Sequence, residues 1–262
     1  MRKSILILTL CLLVTAWQTP AFSWNVYEDL LDKIDEKVDD GSVLGGGVLV
    51  TQSPYEGIDD SIYAVPIISM ETKQFFIDVM TFGYYFNSKE DPVRVGIIGA
   101  PRFQGYEDGQ GESDLLNGME DRDWAFDGGL RMKWENDLVD VHMDAVTDLS
   151  GKHEGQELRL GLSKQLFDGF LTPRATVGWK SEQLVDYYYG VRPGEARAGR
   201  AEYEPDAAME YTAGLTIGVP LGDVWALVGD VQCNFLTDEI TDSPIVDEDT
   251  LMSYTLGAVY RF

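Results

Sequence analysis

Cysteine is almost absent from this chain: two residues in 262, Cys11 and Cys233. A disulfide framework is excluded, because Cys11 lies in a segment expected to be removed and leaves Cys233 without a partner. Thiolate metal spacings are excluded with it, and no cofactor is expected. Positive charge is also scarce, with 20 Lys and Arg against 45 Asp and Glu and a formal net charge of -25. Nucleic acid is therefore not an expected partner, since its phosphates would be repelled. Simple electrostatic docking on an anionic bilayer is disfavoured for the same reason. Histidine occurs only as His142 and His153. Finally, no stretch approaches the roughly 18–20 consecutive apolar residues of a spanning helix.

What is present begins with an export signal. Arg2 and Lys3 precede an apolar run from Ile5 to Ala16, and Ala21-Phe22-Ser23 places small residues where a signal peptidase reads them. Residues 1–23 are thus expected to be a cleaved signal peptide. In 24–42, Leu30, Leu31, Ile34 and Val38 recur at helical spacing among acidic residues, which predicts a short acidic amphipathic leader.

From residue 43 to 262 the pattern changes to strands of period two. Segment 124–134 is the clearest: Trp124, Phe126, Gly128, Leu130, Met132 and Trp134 share one face, and Asp127, Arg131 and Lys133 the other. Its terminal tryptophans suit the two membrane–water interfaces, and its length suits a tilted strand crossing a bilayer. Similar alternation recurs at 138–146, 157–164, 171–180, 209–219, 224–235 and 251–262, and less cleanly at 43–51, 61–70, 74–86 and 92–102. The chain closes on an aromatic, Phe262, as outer-membrane strands commonly do. These features predict an all-β fold, an antiparallel transmembrane β-barrel of the bacterial outer membrane, in contact with its lipid and lipopolysaccharide. A soluble sandwich also alternates, but does not gather aromatics at strand ends. Eleven candidate strands conflict with the even number that bacterial single-chain barrels have. Twelve strands are favoured and ten possible, with the conflict lying before residue 92. Short turns at 135–137, 166–169 and 220–222 are expected at the periplasmic end, and longer loops at 103–123, 148–155, 181–208 and 237–249 outside.

On this assignment the lumen carries Arg94, Arg131, Lys133, Arg159 and Arg174 with Asp127, Asp140, His142, Asp144 and Asp230. Arg102, Lys164, Lys180, Arg261, Glu157 and Glu210 point the same way. In a narrow barrel such charges are expected to pair, since an isolated buried ion is costly; a selective narrow pore is the sharper alternative. Catalysis has little support. His142 beside Asp144 is a consequence of strand geometry, and no Ser nucleophile motif accompanies it. The loop 107–123, rich in Asp and Glu, offers oxygen ligands for calcium or for cation bridges to lipopolysaccharide, but a solvated loop is the more ordinary meaning.

Four segments, in order, carry a resemblance. They are Pro54-Tyr55-Glu56-Gly57-Ile58-Asp59-Asp60 followed by Val65-Pro66; Asp148-Leu149-Ser150-Gly151-Lys152-His153-Glu154-Gly155; Tyr188-Tyr189-Gly190-Val191 with Glu195-Ala196 and Tyr203; and Asp242-Ser243-Pro244-Ile245-Val246. Together they resemble the MltA-interacting protein (MipA/OmpV) family of outer-membrane proteins over roughly residues 43–262. Ile58 departs from the small polar residue often found there, and the acidic leader is not a family feature. The resemblance implies a non-enzymatic scaffold linking a periplasmic murein hydrolase to a murein synthase. Other members imply a narrow porin-like channel or a surface-exposed adhesion or permeability barrel.

Overall fold

The computed structural model describes residues 42–167 and 169–261. The expected signal peptide, the leader up to residue 41 and the terminal Phe262 lie outside the described residues.

Twelve antiparallel strands form a closed barrel in which each pairs with its sequence neighbours and the first pairs with the last. They are β1 (Val43–Thr51), β2 (Ser61–Glu71), β3 (Phe75–Asp78), β4 (Thr81–Tyr85), β5 (Val93–Arg102) and β6 (Ala125–Trp134). The remainder are β7 (Asp140–Asp148), β8 (Gln156–Ser163), β9 (Leu171–Lys180), β10 (Ala208–Leu221), β11 (Trp225–Leu236) and β12 (Thr250–Arg261). The β1–β12 ladder runs from Val43↔Arg261 to Thr51↔Ser253 and closes the wall. Closure leaves no full-length free edge, which a bilayer requires because hydrocarbon cannot satisfy exposed backbone groups.

The parity conflict is resolved in the 74–86 segment, which is two strands rather than one. Val79 takes a positive φ of 51° and turns β3 back into β4. No Gly, Pro or Asn marks this turn, so the apolar run Phe75 to Tyr85 reads as continuous. A second difference lies at β7, which starts at Asp140 instead of 138. Asn136 accepts from the N–H groups of Leu138 (2.9 Å) and Val139 (3.2 Å) and donates to the Val139 carbonyl (2.6 Å), which holds both residues in the turn.

Side chains sort as the period dictates. Leu130, Leu160, Val231 and Leu256 face outward, and Leu256 is 67% exposed to the surroundings. In water such a surface would be an aggregation liability; in a bilayer it is the lipid contact. Trp124 and Trp134 are both exposed at opposite ends of the β6 hairpin arm. The long connections, 52–60, 103–124, 149–155, 181–207 and 237–249, all lie at one end. Short turns such as 222–224 lie at the other. Long-loop ends face outward in such barrels and short-turn ends face the periplasm.

Among the described residues two α-helices interrupt the long loops, α1 (Glu182–Tyr189) and α2 (Asp238–Thr241). The region 181–208 was expected to be loop; the α1 stretch instead buries Leu184, Val185, Tyr188 and Tyr189 along one side. The largest apolar cluster is not inside the wall. It sits among the outer loops, where Tyr55, Tyr106, Leu116, Leu184, Tyr188, Ile240 and Ile245 are buried together.

Candidate functional site: a charged lumen beneath a packed outer cap

The lumen is organised as ion-pair groups, some between neighbouring strands and others reaching past a strand. Arg131 on β6 faces Asp144 on β7 in register and grips it with two parallel bonds, Nε to Oδ1 at 2.8 Å and Nη2 to Oδ2 at 2.9 Å. Arg159 on β8 reaches the same carboxylate at 3.4 Å. All three are buried. Further round the wall Arg174 on β9 holds Asp230 on β11 at 2.6 and 2.8 Å, and also bonds Thr216 (2.8 Å) and Gln232 (3.2 Å). That reach crosses β10 at Gly214, where a Cβ would stand 2.5 Å from the guanidinium carbon. Lys180 donates to Glu210 at 2.6 Å, and Lys133 pairs with Glu135 at 2.8 Å. Arg94 pairs with Glu71 and lies 3.7 Å over the Tyr85 ring. Asp140 is half-buried near the periplasmic start of β7.

The two histidines exchange the roles their positions suggest. His142 is buried in the lumen, but both oxygens of its strand neighbour Asp144 are bonded to arginines. His142 lies 3.5 Å from Ser163 Oγ. His153, read from sequence as a loop residue, is buried and joins the lumen network. Its Nδ1 accepts from the Gly155 N–H at 3.0 Å, so the proton resides on Nε2, which donates to Asp127 at 3.0 Å. Asp127 is itself held by Arg102 at 2.6 and 2.8 Å, and Arg102 also pairs with Glu157.

Asp127, Asp148 and His153 have ligand atoms within 4.8 Å of one another, the one such grouping among the described residues. Their lone pairs are committed, however. Asp148 accepts from the N–H groups of Ser150, Gly151, His153 and Glu154 and from the Ser150 hydroxyl. This is an Asx-type loop brace, and a metal would have to displace it.

Above the lumen, segments far apart in sequence meet. The Tyr55 ring packs edge-on to Tyr106 at 4.8 Å and stacks on Tyr189 at 5.8 Å. Its hydroxyl donates to the Tyr188 carbonyl at 3.1 Å. Ser243 donates to the Tyr189 carbonyl at 2.6 Å, and Tyr55 bridges Val246 in strand fashion. Val191 bridges Tyr203, whose hydroxyl reaches the Glu239 carbonyl at 3.0 Å. Gly57 adopts φ +77° and lies so close to Ser113 that a Cβ would stand 2.3 Å from the serine Cβ. Gly190 ends α1 where a Cβ would stand 2.2 Å from Asp186 Oδ1. His153 sits 5.9 Å from the Tyr188 ring, tying the cap to the lumen. Pro244 is half-buried in this assembly, whereas Asp59 is exposed at its edge.

Glu195 is a polar anchor of the cap that sequence inspection singled out only as part of a motif. It accepts from the N–H groups of Glu120 (2.9 Å) and Arg192 (2.9 Å) and from Arg122 Nη2 (3.1 and 3.0 Å). Arg122 and the buried Arg200 carried no sequence signal at all; Arg200 donates to the carbonyls of Glu195 and Asn117 at 3.0 and 3.1 Å. Burial would raise the Glu195 carboxyl, but the two N–H donors and the Arg122 guanidinium hold it below the usual glutamate range. A depressed native value means that this stabilisation is present above the unfolded value, about 4.3, and is lost as pH falls through the native one. Acidification through that interval is therefore expected to raise protease cleavage within 190–203. Glu195→Gln should flatten this pH dependence, and an unchanged profile would contradict the assignment.

Comparison with known proteins completes the description. A family model described as MltA-interacting protein MipA matches residues 44–262. The chain is 30% identical over 234 residues to the MltA-interacting protein of Escherichia coli K12, covering 84% of this chain and 89% of the relative. It is 24% identical over 216 residues to outer membrane protein OmpV of Vibrio cholerae, covering 78% and 80%.

Proposed function

Because the chain belongs to the MltA-interacting protein MipA family and is an outer-membrane barrel, we propose that it is a non-enzymatic scaffold linking peptidoglycan-cleaving and peptidoglycan-synthesising enzymes at the periplasmic face. The observation that carries this reading is the packing of the barrel at two levels. Its outer end is packed by the Tyr55–Tyr188 cap core, and its interior is crossed by buried Arg–carboxylate groups. A constitutive pore needs neither, since bidentate pairs fill space and fix side chains. A barrel used as a membrane-held platform gains rigidity from both. The name of the K12 relative, MltA-interacting protein, supports this reading. The four motifs cluster in the outer cap, so they serve the fold of the platform, and partner contact falls to the periplasmic turns and the acidic leader of residues 24–42.

The test is capture with the folded, detergent-solubilised full mature chain. A periplasmic extract is expected to yield a murein hydrolase together with a murein synthase. Recovery of neither would overturn the reading. Planar bilayers are expected to stay silent; steps of conductance altered by Arg131→Ala or Asp140→Ala would establish the narrow-channel alternative instead.

A further inference from the structure

Among the described residues, the wall is incomplete beside β2. β3 pairs only with Ser69, Met70 and Glu71, the periplasmic end of β2, and β4 pairs with Gly96 to Gly99 of β5. Above the Val79–Met80 turn, β2 therefore continues with β1 on one side and, among the described residues, no strand on the other. The register identifies which backbone groups face this gap. Val79 N–H donates to the Ile68 carbonyl and Thr72 N–H to the Phe75 carbonyl, so even-numbered residues of β2 turn their polar groups toward β3. Continuing upward, Ile62, Ala64 and Pro66 turn theirs into the gap, and among the described residues none has a backbone partner there. Across the gap, the Phe86 N–H to Val95 carbonyl bond makes odd-numbered residues of β5 face β4, so Pro101 faces the gap beyond the end of β4.

Both rims thus carry a proline where an N–H would otherwise point into the opening. Proline is confined to edges because it cannot donate to a ladder, and it is one of the devices that prevent strand addition. The gap is roofed by loop contacts, where Glu112 N–H donates to the Gly57 carbonyl at 2.7 Å. It lies on the long-loop half of the wall, facing the outer leaflet. Ile62 is 71% exposed beside it. Pure hydrocarbon would leave the Ile62 and Ala64 backbone groups unsatisfied, which a membrane does not tolerate. An occupant must be apolar and also carry donors and acceptors along its length.

We propose that this gap is a lateral binding site for the acyl region of an outer-leaflet lipopolysaccharide, whose amide, ester and hydroxyl groups meet the β2 edge while an acyl chain enters between β2 and β5. The two prolines disfavour a partner's strand as the occupant. The proposal is independent of the scaffold reading.

The experiment places photoreactive benzoylphenylalanine at Val65, an inward position behind the gap, and at Thr176, an inward position on β9. Folded barrels are irradiated in outer-membrane vesicles and, as a second arm, in phosphatidylethanolamine–phosphatidylglycerol bilayers; Tyr63 replaces Val65 if that variant does not assemble. A lipopolysaccharide adduct at least fivefold stronger at Val65 than at Thr176 is expected. Equal or absent adducts overturn the site. Adducts to phospholipid alone in the vesicles overturn the assignment of its ligand, and an adduct to a protein overturns it in favour of strand addition.

Discussion

Asp144→Ala should lower the stability of the folded barrel by about 3–5 kcal/mol, the range for removing one partner of a buried ion pair. The size follows from what is left behind. Asp144 takes two bonds from Arg131 and one from Arg159, so its loss removes a buried carboxylate that two guanidinium groups share. Replacing the three together, as Arg131→Met, Asp144→Leu and Arg159→Met, is expected to cost less, because the carboxylate and the two guanidinium groups that share it leave together. Thermal unfolding of the detergent-solubilised barrel, followed by its heat-dependent gel mobility, measures both. Equal loss in the single and triple variants would mean that volume rather than charge matters at this position.

Tyr55→Ala is expected to cost the cap about 3–5 kcal/mol, in the range for deleting a buried aromatic. The ring is shared by Tyr106 and Tyr189, and its hydroxyl is bonded to the Tyr188 carbonyl, so one substitution loosens three loops. The barrel beneath has its own ladders and ion pairs, so its unfolding temperature should move little. Limited proteolysis should therefore reach the 181–207 and 237–249 loops in the variant while the strands stay protected. If the loops remain resistant, the cap does not depend on the tyrosine cluster. Conductance in planar bilayers then separates two consequences: a loosened cap over a still-paired lumen should remain silent, because the arginine groups persist.

How much of this was legible in the sequence differs from element to element. Period-two alternation places Arg131, Asp144 and Asp230 inward and Leu130 and Leu256 outward, because a strand cannot turn successive side chains to the same face. Strand ends were less legible: Asn136 draws Leu138 and Val139 into a turn through side-chain bonds that no periodicity reports. The β3–β4 turn was illegible because Val79 bears no turn signature and pays for a positive φ with its surroundings. α1 was hidden by length. Its eight residues are two turns, too short for periodicity to stand out beside the adjoining loop, and its burial depends on Tyr55 and Ile240 from elsewhere in the chain.

The candidate site divides along the same line. Sequence alone determined the apolar outer stripe, the charged inner stripe and the family to which the four motifs point, since each is a property of local order or of neighbouring residues. Only the tertiary structure decided that Arg131 rather than His142 holds Asp144, that His153 reaches Asp127, that the motifs form one cap, and that Pro66 and Pro101 face the same gap. The physical reason is that these are contacts between strands and loops brought together by closure of the wall. A register between distant segments is set by the sum of all the ladders around the barrel, and no single stretch of chain contains it.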